Sequence, residues 1–185
     1  MDALEAIFSR QSNAEVKPNP VPRELIERLL SAAVQAPNHY KVRPWRFIVL
    51  TGAGREKLGE VLARSFAEKF PQAPASALDK ERAKPLRAPA IVAVGVDKPS
   101  EPKVQEIENI CAAAAAVENL LIAAQALGLA TKWRTGDDAR NPHIKEFLGL
   151  APNQHLIALI YIGYPAVAPG TVTRPGSEDR TVWME

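Results

Sequence analysis

The stretch from Ile110 to Leu127 constrains this chain more than any other. It reads ICAAAAAVENLLIAAQAL, apolar on nearly every side. A helix over 103–128 with that make-up has no single wet face. It lies at the centre of a core or is shared between subunits. Glu118, Asn119 and Gln125 interrupt the run, so it falls short of an uncharged membrane span. With 185 residues the chain is about one domain long. The mix of 46% hydrophobic and 24% charged residues suits a folded globular domain rather than disorder. Lys+Arg minus Asp+Glu leaves only +2, too small a balance for a nucleic-acid or membrane-surface binder. Met1 to Ala6 hold two acids and no basic residue, which argues against a signal peptide. The single cysteine excludes an internal disulfide. These features lead to the expectation of one cytoplasmic domain over 1–185, with no nucleic-acid and no membrane partner.

Other segments supply the layers around that helix. Leu4, Ile7 and Phe8 share a face of a short helix over 2–9. Three prolines in Lys17–Pro22 forbid helix there. Residues 23–35 are amphipathic, with Leu25, Ile26, Leu29, Leu30, Ala33 and Val34 on one side. Pro44–Leu50 reads as a strand, followed by a helix over 55–69 with Leu58, Val61, Leu62 and Phe66 as its buried stripe. Pro71–Pro89 is polar and proline-interrupted, with one short helix near Ser76–Lys84, and is the expected mobile segment. Ala90–Val96 is a continuous apolar run, the signature of a strand buried on both faces. Thr131–Arg134 is a short strand. Asn141-Pro142 is an N-cap and first-turn pair opening a helix that stops at Gly149. His155–Ile162 is another apolar strand. From Gly163 onward the chain is rich in proline and glycine without periodicity. This tail, 163–185, is predicted to wander or to lie along another surface, such as a partner subunit. The sum is an α+β plan with one sheet and a central helix.

Several chemistries are excluded. Metal sites need clustered ligands, and His39, His143 and His155 are far apart beside one cysteine. Cys111, set among alanines, reads as a small core residue whose thiolate burial would disfavour. No P-loop and no G-x-S-x-G elbow occurs. Thr51-Gly52-Ala53-Gly54 follows a strand and precedes a helix, but Lys57 stands where a dinucleotide fingerprint needs its third glycine. The next strand begins only near Ala90. The motif reads as a plain strand-to-helix turn.

Three segments place polar or basic groups at turns beside apolar elements. They are Arg10-Gln11-Ser12, then Pro37 to Phe47 (PNHYKVRPWRF), then Trp133-Arg134-Thr135-Gly136. Basic side chains at helix ends bind phosphate through charge-assisted hydrogen bonds. Amide, hydroxyl and imidazole groups suit the edge of a heteroaromatic ring. Each segment alone has a plain reading. Arg10 near a helix C-terminus favours the macrodipole, Trp45 and Trp133 pack in the core, and His39 is a satisfied loop histidine.

Together and in this order the segments resemble the small, single-domain branch of the FMN-dependent nitroreductase family. The resemblance covers nearly the whole chain: R-x-S after the opening helix, the helix ending in Ala36-Pro37, Pro44-Trp45-Arg46-Phe47, the alanine-rich helix, and the W-R-[ST]-G turn. It implies a nitroreductase-like α+β fold, with a central antiparallel or mixed sheet, helices on its flanks and a long central helix. It also implies an obligate homodimer with FMN at the subunit interface. On that resemblance Arg10 contacts the FMN phosphate with Ser12 nearby, and Gln11 belongs to the same segment. His39 and Lys41 approach the flavin or its ribityl chain, and Val42 and Arg43 do so from the opposite subunit. Trp133, Arg134 and Thr135 form the turn beside the ring system, where the N–H of Thr135 or Gly136 donates to flavin N5. The implied reaction is hydride transfer from NAD(P)H through the flavin to a small-molecule electron acceptor, a nitroaromatic or quinone, with ping-pong kinetics and no dedicated acid–base residue.

The chain departs from the pattern at defined points. Ala14 and Glu15 stand where many members carry a second basic residue. Lys41 and Arg43 replace the common Asn and Gln before Pro-Trp. Arg174 and Arg180 are candidates for a C-terminal phosphate contact. Two other classes stay open: a different flavin enzyme on the same fold, such as a dehalogenase, a flavin-fragmenting enzyme or an oxidase, and a non-catalytic flavin-binding homodimer.

Overall fold

In the computed structural model, which describes residues 1–168 and 170–185, a four-stranded sheet separates two helical layers. Position 169, within the expected tail, lies outside the described residues. The strands are β1 (Trp45–Thr51), β2 (Ala90–Val96), β3 (Ala130–Arg134) and β4 (His155–Gly163). Their order is β1-β2-β4-β3, and every pairing is antiparallel. Of the two sheet types expected, the antiparallel one is found.

Every residue of β2 is buried, as its unbroken apolar run requires of a central strand covered on both sides. Its residues alternate between two cores. Ala90, Val92, Val94 and Val96 join Ala158, Ile160 and Ile162 of β4 on one face. Ile91 and Ala93 join Leu159 and Tyr161 on the other. The first face is covered by α2 (Arg23–Ala33) and α5 (Glu106–Ala126), the second by α3 (Ala53–Lys69) and α7 (Pro142–Phe147).

The long helix α5 is the central element expected. It opens with a capping box, Gln105 with Glu108, which satisfies two otherwise orphaned amides. Ala113, Ala116, Val117, Leu120 and Ala124 are fully buried against the sheet and α2. α5 is long and apolar enough to cross a membrane by length and composition, but its inner face is the core of this fold. Its other face is open. Ile107 and Cys111 are exposed, with Ala114, Glu118, Ile122 and Gln125 half-covered along the same line. Cys111 is therefore not the core residue expected. A helix apolar all round says nothing of which side its neighbours cover, and Cys111 falls on the uncovered side.

Two further expectations are revised. The Pro71–Pro89 segment is not loosely attached: α4 (Ala75–Ala83) packs on α3 so closely that a Cβ on Gly59 would stand 2.4 Å from the Arg82 carbonyl oxygen. Pro85 and Ala88 anchor its end in the interior. The tail does not wander at first. It runs back along the N-terminal segment of its own chain, with Lys17 N–H donating to Tyr164 O at 2.8 Å and Ala166 N–H to Glu15 O at 2.9 Å. The opening helix α1 (Ala3–Ser9) packs on α5, but Leu4 and Phe8 face solvent. At Gly52, φ is +45°, and this turn leads from β1 straight into α3, as the strand-to-helix reading of Thr51–Gly54 required.

Candidate functional site

The sheet end formed by the start of β1, the end of β2, the end of β3 and the start of β4 carries the Trp133–Gly136 segment. A local irregularity shapes it. The β2–β4 register runs Val94 opposite Ala158 and Gly95 opposite Leu156, so Ile157 is an extra residue in β4. A bulge re-aims the residues beside it. Here Leu156 turns into the α3 side core, and the Ile157 carbonyl accepts from Trp133 Nε1 at 2.9 Å. Trp133 is thus a bracing residue: its indole packs against the α5 side core and its N–H is already taken.

Beyond Trp133 the chain turns. Gly136 has φ +86°, a left-handed conformation that glycine adopts freely, and it starts the one-turn helix α6 (Asp137–Arg140). The N–H groups of Thr135 and Gly136 donate to no partner among the described residues. Both residues line an open cleft of about 440 Å³ with Ile110 of α5 and His155 and Ile157 of β4. Arg134 lies over the Tyr161 ring at 5.2 Å. Burial pushes the Tyr161 hydroxyl up to about 12, with Arg134 opposing the shift.

At the other end of β3, Ser12 bridges to Thr131, and Asn13 N–H donates to Thr131 O at 2.9 Å. This pairing sets the R-x-S segment against the sheet edge. Arg10 is held by Glu118 of α5 at 3.2 Å, with its side chain 22% exposed. A second cation joins it: Arg174 donates to the carbonyls of Phe8 and Arg10, at 3.3 and 2.6 Å. Of the two C-terminal candidates, the structure thus brings Arg174 to the R-x-S segment. Arg180 pairs with its neighbour Asp179. Gln11 is occupied by the tail, its Nε2 donating to Gly170 O at 2.6 Å. Near Ala14 the basic residue missing from the sequence pattern has neighbours from elsewhere, because Arg87, Lys132 and Arg134 border the same notch. Sequence reasoning missed Arg87 and Lys132; the alternation of β3 puts Lys132 and Arg134 on one face, which was the available signal.

The third segment sits apart. His39–Lys41 form a single 3₁₀ turn in which Tyr40 and Lys41 have φ of 51° and 57°, and Arg43 follows at 49°. Left-handed conformations cost roughly 1–2 kcal/mol at each residue with a Cβ. Asn38 holds the turn by accepting from Arg43 N–H at 2.8 Å. His39 Nδ1 lies 3.2 Å from Glu108 of α5, and Lys103 covers the Tyr40 ring at 4.5 Å. Pro37, Asn38 and His39 face Ile107, Glu108 and Cys111 across a cleft of about 500 Å³. Glu108 and Glu118 are ten residues apart on α5, about 15 Å along its axis. Within one chain, the His39 turn and Arg10 are therefore not brought into a common pocket.

The nitroreductase family profile matches residues 7–164, most of the chain and all four strands of the sheet. The chain belongs to the nitroreductase family. This family member is 31% identical over 171 residues to the Escherichia coli K12 protein named "Putative NAD(P)H nitroreductase YdjA", covering 92% of each chain. It superposes on a nitroreductase-like family protein from Bacillus cereus with a TM-score of 0.87 and 27% identity, over 100% of this chain and 97% of that one. The FMN-dependent nitroreductase NfnB of Mycobacterium smegmatis, solved with NADPH, shares the fold at a TM-score of 0.76 and 21% identity, covering 99% of this chain and 98% of its own. By family the chain is an oxidoreductase, on the branch that includes YdjA.

Proposed function

We propose that this chain is an FMN-dependent oxidoreductase that passes hydride from NAD(P)H to nitroaromatic, quinone or related acceptors by a ping-pong mechanism. One observation carries the reading. Strand β3 has a cationic anchor at its start and free amide donors at its end. Arg10, Arg174 and Ser12 gather beside Thr131, and the unbonded N–H groups of Thr135 and Gly136 lie four to five residues on, about 13 Å by strand rise. That layout fits a ligand with a phosphate at one end and a hydrogen-bonding ring at the other. The donor set matches FMN: guanidinium and hydroxyl for phosphate, and peptide N–H for a ring nitrogen.

The cofactor supplies the two-electron chemistry when bound. The chain's residues supply position and charge. Arg10, pre-ordered by Glu118, anchors the phosphate. Thr135 or Gly136 N–H fixes the ring edge. Ile110 and Ile157 offer an apolar wall that keeps water from one side. Arg134, Lys132 and Arg87 would add positive charge around Ala14, two residues from the Ser12 end of the layout. Bringing the reacting atoms to about 3–3.5 Å is the main catalytic contribution.

His39, Lys41, Val42 and Arg43 complete the site from a second subunit in this reading. A dimer is supported by the open face of α5 at Ile107 and Cys111, by Leu4 and Phe8 on α1, and by the tail, where Trp183 is 84% exposed. Burying such surface yields roughly 25 cal/mol per Å². The tail beyond Arg174 is then free to lie across the partner.

The visible spectrum tests the function. Purified protein mixed with FMN and separated from free cofactor shows flavin bands that bleach on anaerobic addition of NADPH and recover with a quinone. Protein that stays colourless after FMN and oxidises no NAD(P)H with any nitroaromatic or quinone overturns the reading. A stable FMN-loaded monomer in light scattering overturns the shared site.

A further inference from the structure

The cleft at Thr135–Gly136 holds positive charge that FMN does not account for. No Asp or Glu is among the residues that line it. Its basic walls are Arg140 at the end of α6, Lys145 on α7 and His155 at the start of β4. Arg140 has two acids within its own turn of helix, yet both are diverted. Asp137 pairs with Lys69 of α3 at 3.1 Å, and Arg140 is the weakest influence on it. Asp138 is half-buried, with Lys84 as the main cation acting on its carboxyl. The exposed Arg140 guanidinium makes no ion pair and no hydrogen bond among the described residues. Lys145 Nζ donates to the Pro152 carbonyl at 3.2 Å, a neutral partner that leaves its charge uncompensated. Behind His155, the Glu106 carboxylate is already matched by Lys98 and by His155 itself, so it contributes no spare negative charge to the cleft.

A concave surface lined by one sign of charge concentrates ligands of the other sign. In the proposed layout FMN carries its anionic phosphate at Arg10, at the opposite end of β3, and brings only its ring edge to Thr135–Gly136. The charge of Arg140 is therefore left for a second ligand. The cleft, about 440 Å³, also has an apolar side made by Ile110, Ala139 and Ile157, and its volume is in the range of small-molecule sites, roughly 300–1,000 Å³. An apolar ring with an anionic substituent matches both sides at once. The guanidinium fork fits a carboxylate through two parallel hydrogen bonds, and Lys145 adds a point charge behind it.

We propose that this cleft selects aromatic electron acceptors that carry a carboxylate, with Arg140 receiving the carboxylate and the ring lying against Ile110 and Ile157. The proposal names the acceptor class of the proposed reaction and rests on that reading. A neutral acceptor uses the same apolar side and leaves the guanidinium in water. The phosphates of NAD(P)H are the other source of negative charge, and the test separates the two.

The probes are para-nitrobenzoate and para-nitrobenzamide, alike in shape and different in charge. In the test reaction the nitro group takes the hydride of NADPH and one solvent proton, and leaves as the nitroso compound and water. The FMN-loaded protein is expected to favour the acid about five- to tenfold in kcat/KM, and the preference shrinks as ionic strength rises. Arg140→Gln removes the preference and Arg140→Glu reverses it. Benzoate against benzamide gives a readout without turnover. Benzoate perturbs the flavin absorption of the loaded protein with saturation, and binds about five- to tenfold more weakly in Arg140→Gln. An acid-to-amide ratio that is the same in the parent and both variants overturns the proposal. So does a rise in KM for NADPH equal to that for the acid, which assigns Arg140 to the dinucleotide phosphates. If the protein binds no FMN, the flavin reading fails, and the ¹⁵N-labelled chain still decides the cleft. A saturable shift of the Arg140 Nε–H signal with benzoate and not with benzamide supports an anion site there, and no shift overturns it.

Discussion

Replacing Arg10 with Gln separates a phosphate anchor from a merely structural arginine. The guanidinium already has one carboxylate, Glu118, at 3.2 Å, and is partly exposed on its remaining side. A phosphate on that side gains a charge-assisted hydrogen bond from a group that needs no further ordering. Hydrogen bonds to charged groups contribute about 1.5–3 kcal/mol, or roughly 10- to 100-fold in Kd. The loss is also asymmetric: Arg10→Gln leaves the Glu118 carboxylate uncompensated beside the incoming anion. The expected outcome is a rise of about 10- to 100-fold in Kd for FMN, with riboflavin, which has no phosphate, changing less than about twofold. Quenching of flavin fluorescence on flavin-stripped protein measures both. Glu118→Gln acts in the opposite direction. It frees the guanidinium and tightens FMN modestly, since a half-exposed pair contributes only about 0–1 kcal/mol. Arg174→Gln weakens FMN less than Arg10→Gln, because the Arg174 guanidinium is already spent on the Phe8 and Arg10 carbonyls. Equal loss for FMN and riboflavin would show that Arg10 serves only to dock α1 on α5, and would refute the assignment.

Four other perturbations probe the scaffold. Gly59→Ala drives a methyl into the Arg82 carbonyl; over-packing of this kind costs about 1–3 kcal/mol, or a Tm lower by roughly 3–10 °C at this size, and an unchanged Tm would mean that α4 is not seated on α3. Trp133→Phe keeps the aromatic packing but strands the Ile157 carbonyl at the bulge, so the urea midpoint falls by an amount equal to about 1–2 kcal/mol. Asp138 has its carboxyl raised by burial, with Lys84 opposing the shift; its ionised form is disfavoured in the fold, so the penalty is present above the raised value and absent below the ordinary aspartate range. Asp138→Asn therefore raises Tm at neutral pH, and the gap to the parent closes in thermal scans as pH falls through that window. Glu106 has the opposite sign: hydrogen bonds from His155 and then Lys98 hold its carboxyl low, so Glu106→Gln removes a contribution present at neutral pH and matters least once acid has protonated the parent.

What the sequence disclosed, and what it did not, follows the reach of each interaction. Local signals were legible. The run Ala90–Val96 is the doubly buried central strand. Asn141 caps its helix as its pairing with Pro142 implied, accepting from the N–H of His143 and Ile144. Non-local facts were not legible. The bulge at Ile157 is a property of pairing between two strands and has no mark in either strand alone. Arg174 meets Arg10 across 164 positions, and no spacing rule connects them. Cys111 was misplaced because composition describes a helix and not its neighbours. The docking of α4 did leave a trace. A glycine inside a helix costs up to about 1 kcal/mol, so Gly59 in mid-α3 signals a close approach that repays it.

The site segments differ in strain, and the difference bears on assembly. The Thr135–Gly136 turn meets its need for a left-handed residue with glycine. The His39 turn meets the same need with Tyr40, Lys41 and Arg43, at about 1–2 kcal/mol each. Such strain persists where surroundings over-determine it. Within one chain the restraints are few: one side-chain acceptance by Asn38, one ion pair to Glu108, and Lys103 over an exposed ring. The turn flanks the open stripe of α5, which is where a second subunit docks in the proposed dimer. In that proposed dimer a partner would restrain the turn and would bring Lys41 and Arg43 toward the Arg10 end of the site. Strain, exposure and separation along α5 would then share one cause, and a variant that stays monomeric in light scattering would lose the contribution of the turn to FMN affinity.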